Sequence, residues 1–335
     1  MKALVTGGAG FIGRRVSAQL RDEGVDVRVA DLADSADVVG DLADPGIAEA
    51  AVAGVDAVCH LAAKVGLGVD FGDADDYVRA NDCATSSLLG ALWRAGFTGR
   101  IVLASSMVVY GEGRCRCVVH GEVAPAPRGP AQLIEGEWEP RCPECGRPTT
   151  WAAVEESSPT DPRNVYAATK LHQEHLCALY GREAGATAVV LRYHNVYGPG
   201  MPRDTPYAGV ASIFRSALES GRAPQVFEDG GQTRDFVHVD DVARATVLAL
   251  TRPDVPAGAY NVASGVPHTV LEMAAALSRA FGGPVPEVTG RWRLGDVRHI
   301  VASPARAARG LGFSATRSFE EGMREFAAAP LATPQ

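Results

Sequence analysis

No apolar run in the 335-residue chain approaches the roughly 18 residues that a membrane-spanning helix needs. The first strand pattern begins almost at Met1, leaving no room for a signal peptide, so a cytoplasmic protein is expected. Cysteine is sparse. Seven in this length make no disulfide scaffold, and in a reducing compartment clustered thiols are metal ligands or core residues. Surplus positive charge is missing too. With 32 Lys+Arg against 40 Asp+Glu the formal net charge is −8, which disfavours nucleic acid and anionic membranes as partners. A local basic pocket for a phosphorylated small molecule stays open. There is no internal repeat and no low-complexity linker. The composition, 46% hydrophobic and 21% charged, is that of a globular protein. The chain exceeds the roughly 250–300 residues at which one core stops growing, so a large domain with a smaller lobe is expected.

Short apolar runs at 2–6, 26–30, 57–61, 100–105 and 187–192 read as buried strands, and helical spacing such as Phe11, Ile12, Val16 and Leu20 separates them. Alternating strands and helices predict an α/β fold: a Rossmann-type, doubly wound parallel sheet covered on both faces. The pattern stops from 112 to 151, a cysteine-rich insertion with several prolines and no clear period. The expected division is a dinucleotide-binding domain at 1–192 and 236–263, the insertion at 112–151, and a substrate lobe at 193–235 and 264–330. The tail after Phe326 is expected to fray.

Gly7, Gly10 and Gly13, with Phe11 and Ile12 between them, follow the first strand and open the first helix. Such glycines allow a tight turn, close backbone approach to a pyrophosphate, and close helix–strand packing, while the helix start supplies free N–H groups. Asp31 ends the second strand, where a carboxylate accepts ribose hydroxyls and repels a 2′-phosphate, so NAD is expected rather than NADP. Asp41 and Leu42 are placed beside the adenine. Tyr166 and Lys170 stand one helical turn apart on one face, and a lysine ammonium together with the positive nicotinamide nearby would favour the phenolate, a base usable at neutral pH. An earlier strand leads into Ser105-Ser106-Met107-Val108.

With these motifs in view, the chain resembles the extended short-chain dehydrogenase/reductase family, in its nucleotide-sugar epimerase/dehydratase branch. The resemblance runs through the glycine loop, His60-Leu61-Ala62-Ala63, Asn81, Ser106, Tyr166/Lys170, Arg192 to Gly200, Arg234 to Val242, and Gly295-Asp296-Val297-Arg298. It implies that Ser106 hydrogen-bonds the sugar hydroxyl and Tyr166 removes its proton, with Lys170 on the nicotinamide ribose. It also implies NAD contacts from Leu61, Ala62, Ala63, Asn81 and Val196, and a nucleotide diphosphate held by Asn195, Arg234 and Arg298. His194 replaces the family's usual phenylalanine, with a core or nicotinamide-packing role. Dehydratases and decarboxylases of this branch carry a carboxylate where this chain has Met107 and Val108, so a 4-epimerase is expected. UDP-sugar or uronic-acid epimerase, 4,6-dehydratase, ketoreductase and a non-catalytic NAD sensor are the alternatives. A homodimer is expected, as is common in the family.

Cys117-x2-His120 and Cys142-x2-Cys145 supply four ligands for a tetrahedral, structural zinc, with Cys115 as an alternative ligand. Cys59, Cys83 and Cys177 read as core residues. The insertion, with the stretches 204–211 and 226–230, resembles the dTDP-L-rhamnose 4-epimerase subfamily, and so points to a dTDP-6-deoxyhexose.

Overall fold

The computed structural model describes residues 1–66, 71–203 and 209–332; residues 204–208 of the subfamily stretch lie outside them. In chain order the strands are β1 (Lys2–Thr6), β2 (Asp26–Asp31), β3 (Val38–Val39), β4 (Ala57–His60), β5 (Arg100–Ser106), β6 (Arg114–Cys117), β7 (Gly121–Val123), β8 (Thr150–Ala152), β9 (Thr187–Tyr193), β10 (Asn195–Tyr197), β11 (Gln225–Val226), β12 (Thr233–His238), β13 (Gly258–Val262), β14 (Pro267–Thr269), β15 (Glu287–Val288) and β16 (His299–Ile300). The helices are α1 (Phe11–Asp22), α2 (Pro45–Val52), α3 (Ala74–Tyr77), α4 (Ala84–Arg94), α5 (Pro130–Ile134), α6 (Val165–Ala184), α7 (Val210–Glu219), α8 (Val239–Thr251), α9 (Val270–Phe281), α10 (Ala305–Leu311) and α11 (Phe319–Ala328). None of those described is long and apolar enough to cross a membrane.

Seven parallel strands form the main sheet in the order β13-β9-β5-β4-β1-β2-β3. Strands covered on both faces must be apolar on both, and β4 is buried at every position. The two faces carry separate apolar cores, one under α1 and α8, the other under α2, α4 and α6. The chain leaves β1 toward β2 on one side and returns to β4 on the other. That reversal opens a crevice at the strands' carboxyl ends, where ligands of such sheets bind. A second sheet, β10-β12-β14 with β16 also on β12, packs with α7, α9 and α11 around a third core to form the lobe.

Three expectations need correction. The insertion is not irregular: β7-β6-β8 make an antiparallel sheet around Cys115, Cys117, Val123 and Cys142. As far as Ala332, where the described residues end, the tail after Phe326 does not fray, because Phe326, Ala327 and Leu331 are buried and the Ala332 N–H donates to the Met201 carbonyl at 3.0 Å. Cys83 is exposed, whereas Cys59 and Cys177 are core residues. A one-residue change of helical phase in the π-turn that carries Cys83 turns it outward while burying Asn81.

Candidate active site

The glycine turn has the shape the motif demands. Gly7 adopts φ +68°, and a Cβ there would lie 2.7 Å from the Ala62 nitrogen; at Gly13 it would lie 2.0 Å from the Gly7 oxygen. Both contacts are with backbone, so no side chain can yield. Helix α1 has no acidic residue in its first turn, which leaves its positive end for an anion. A cleft of about 710 Å³ opens there, lined by Gly7, Gly10, Phe11, Ile12, Gly13, Asp31, Asp41, Leu42, Leu61, Ala62 and Ala63, and by Tyr166, Lys170 and Val196 from the other side. Asp31 is braced rather than loose. Its carboxylate accepts the Ala9 N–H at 2.9 Å and the Ala33 N–H at 3.2 Å. Asp41 is paired with Arg79 at 3.0 Å on the rim.

Helix α6 starts at an Asn164 cap, whose side chain accepts the Ala167 N–H at 2.8 Å. Among its buried positions, Tyr166, Thr169, Lys170, Gln173, Glu174 and Cys177 recur at helical spacing, so one face meets β5 and β9 of the main sheet. The Lys170 ammonium donates to the Ala104 carbonyl at 2.9 Å and lies 6.0 Å from the Tyr166 ring centroid. Ser106 ends β5 facing the Tyr166 phenol. The expected phenolate is not produced by the protein's own charges. Burial pushes Tyr166 up to about 12 with Ser106 opposing, and burial pulls Lys170 down to about 8. Desolvation is the largest influence on both groups.

Two expected cofactor residues sit behind the cleft rather than on its wall. Asn81 is fully buried; it donates to Thr169 Oγ1 at 2.9 Å and the Lys64 carbonyl at 3.0 Å, and accepts the Lys64 N–H at 2.8 Å. It therefore fastens the loop after β4 to α6. His194 is buried, held down to about 3 by burial, and does not line the cleft. His60, which the sequence marked only as the first residue of a motif, bonds Thr6 and Thr85 at 2.8 and 2.9 Å. The Thr6 hydroxyl in turn receives the Ala62 N–H at 3.1 Å and sets the cofactor loop. Tyr193, which the sequence marked only as part of the Arg192 to Gly200 motif, also stands on the cleft wall, with Met201 and Pro202, which carry no motif signal. Another missed group is Glu112, a buried carboxyl that burial raises to about 7.

The three residues implied for a diphosphate differ in readiness. The Asn195 amide oxygen is buried without a partner among the described residues. Arg234 donates to the carbonyls of Thr233, Val297 and Arg298 at 3.0, 2.6 and 2.9 Å, with no carboxylate ion pair among the described residues. Burial lowers it to about 10, as expected of a cation awaiting an anion. Arg298, by contrast, is already paired with Glu139, Glu228 and Asp229 at 2.8, 2.9 and 2.7 Å.

In the insertion, Cys117, His120, Cys142 and Cys145 bring their donor atoms within 4.8 Å of one another, and Cys115 is not among them. Cys117 Sγ lies 3.7 Å from Cys145 Sγ and 3.8 Å from His120 Nδ1, and Cys142 Sγ is 3.4 Å from that nitrogen. The main-chain N–H groups of His120 and Val119 pull the Cys117 thiol down to about 6.

A doubly wound sheet, a glycine-lined cleft at its reversal point and a Ser–Tyr–Lys set define a dinucleotide-dependent short-chain dehydrogenase/reductase fold. The profile of the NAD dependent epimerase/dehydratase family matches residues 3–129 and 143–263. The chain is 33% identical to the dTDP-L-rhamnose 4-epimerase of Burkholderia thailandensis, over 97% of this chain and 93% of that one. It is 27% identical to the UDP-glucose 4-epimerase of Corynebacterium glutamicum, over 94% and 91%. The crystal structure of the Thermus thermophilus UDP-glucose 4-epimerase in complex with NAD superposes with a TM-score of 0.77 at 30% identity, covering 98% of each chain. The chain belongs to the NAD-dependent epimerase/dehydratase family, and it is an NAD-dependent nucleotide-sugar epimerase.

Proposed function

We propose that the protein inverts carbon 4 of a dTDP-6-deoxyhexose such as dTDP-L-rhamnose. The carrying observation is a Ser106–Tyr166–Lys170 set at the cleft followed by the apolar Met107 and Val108. Tyr166 takes the proton of the 4-hydroxyl, Ser106 orients that hydroxyl, and Lys170 holds positive charge beside the phenol. Bound NAD would accept the hydride as NAD+ and return it as NADH. The family's carboxylate for removing a 6-hydroxyl is missing at 107 and 108, so the 4-keto sugar turns over and is reduced on its other face. Arg234 and Asn195 bind the diphosphate.

Turnover in heavy water gives a 4-epimer without carbon-bound deuterium, and Tyr166→Phe abolishes turnover while NAD still binds. Deuterium at carbon 5 or 6 in a 4-keto product formed from dTDP-glucose, which has the 6-hydroxyl that dTDP-L-rhamnose lacks, would identify a dehydratase instead when read by NMR.

The insertion holds a structural zinc on Cys117, His120, Cys142 and Cys145. A tetrahedron with Zn–S bonds of about 2.3 Å has edges of about 3.8 Å, close to the 3.7 Å Cys117–Cys145 separation. Metal analysis of protein never exposed to chelator should find about one zinc per chain, lost in Cys142→Ser; no zinc in the unmutated protein would refute the site. The protein works in the cytoplasm as a homodimer; exposed Trp93 on α4 and Leu179 on α6 offer an apolar face to a second copy.

A further inference from the structure

Two charged side chains of the insertion reach into the substrate lobe. Arg128 is buried and pairs with both carboxylate oxygens of Glu228 at 2.9 Å, and it donates to the Asp296 carbonyl at 2.7 Å. Glu139 accepts Arg298 Nε and Nη2 through one oxygen, at 3.0 and 2.8 Å, and meets His299 Nε2 through the other at 2.8 Å. Glu228 is shared: the same carboxylate that holds Arg128 also holds Arg298 at 2.9 Å. It does so from φ +53°, a left-handed conformation that a residue with a side chain adopts only where its surroundings enforce it.

The segment thus anchored carries the carbonyls of Val297 and Arg298, which hold the Arg234 guanidinium. We infer that the insertion is a working wall of the substrate site, in which Arg128 and Glu139 are positioning residues that fix Arg298 and its main chain so that Arg234 faces the diphosphate. This rests on the reading of Arg234 as the diphosphate ligand. It also changes the role implied for Arg298. Three carboxylates already saturate its guanidinium, so it acts on substrate through Arg234. The family profile passes over residues 130–142, so Glu139 belongs to a part of this brace that the chain adds to the shared fold.

The test uses NAD-loaded enzyme in three forms: Glu139→Ala at a side chain that is 38% exposed, Arg128→Met, and the conservative Arg128→Lys. Calorimetry with dTDP and with UDP should show binding weakened by roughly ten-fold or more in Glu139→Ala and Arg128→Met, as misplacement of a ligand-holding group costs. NAD affinity stays unchanged, KM rises while kcat moves by less than about three-fold, and Arg128→Lys recovers part of the loss. Hydrogen exchange without nucleotide should quicken at the amides of Thr233 and of residues 297–299. Tighter dTDP or UDP binding by Glu139→Ala would overturn the inference, because Glu139 would then be a competitor of the diphosphate for Arg298. Unchanged affinity with unchanged exchange would overturn it too. If the unmutated protein binds neither dTDP nor UDP, the nucleotide-sugar reading falls, and the exchange rates alone still decide whether the brace exists.

Discussion

Replacing Glu174 with glutamine should damage both stability and the pH profile, for one reason. Glu174 lies one turn beyond Lys170 on α6, buried, and grips Arg192 of β9 through two hydrogen bonds of 3.0 and 2.7 Å. It also accepts the Ser105 hydroxyl, next to Ser106. Arg192 continues to Tyr110 at 2.9 Å, and Tyr110 to Asn261 of β13 at 2.7 Å, so the chain of bonds ties three strands to the catalytic helix. Glutamine keeps the shape but leaves a buried guanidinium without its counter-charge. Breaking a buried pair on one side costs about 3–5 kcal/mol, a large share of a total stability of about 5–15 kcal/mol. Urea unfolding should show that loss, and Glu174→Leu with Arg192→Met together should recover most of it. Glu174 is also one of the groups that oppose the burial-driven fall of Lys170 to about 8. Without its charge Lys170 loses its proton at lower pH, so the alkaline limb of kcat shifts to lower pH. A cost below about 1 kcal/mol, typical of an exposed pair, would refute the reasoning, as would an unmoved alkaline limb.

His60 and His194 are both buried and held down to about 3, well below an unfolded value near 6.5. The unfolded chain takes up protons that the folded one refuses, so stability present above pH 6.5 is lost as pH falls toward 3. The slope approaches about 1.4 kcal/mol per unit for each histidine below pH 6.5, so denaturant unfolding should show about 3 kcal/mol lost between pH 6.5 and 5. His194→Phe should remove about half of that fall; an unaltered pH dependence would contradict the assignment. Asp31→Asn keeps only one of the hydrogen bonds to Ala9 and Ala33, which use different carboxylate oxygens, and removes the charge that repels a 2′-phosphate. Calorimetry should show the preference for NAD over NADP narrowed at least ten-fold, and an unchanged ratio would put the discrimination elsewhere.

Much of this protein was legible from sequence because the signals are local. Five apolar runs became the five central strands within a residue at their ends, since strands covered on both faces are mostly apolar along their length. Gly7 and Gly13 announced the cofactor turn because backbone contact leaves no room for any other residue. The spacing of Tyr166 and Lys170 put both on one helical face, and the paired Cys/His spacings foretold a cluster whose donors do converge. What only the tertiary structure decided depends on groups far apart in the chain. Asn81 became a strut because Thr169 stands behind it, and Arg298 was drawn into a cage by Glu139, 159 residues away, and Glu228, 70 away. The proton affinity of Tyr166 was settled in the same way. Four-residue spacing places an ammonium near the phenol, but burial, which no spacing encodes, governs whether that charge prevails.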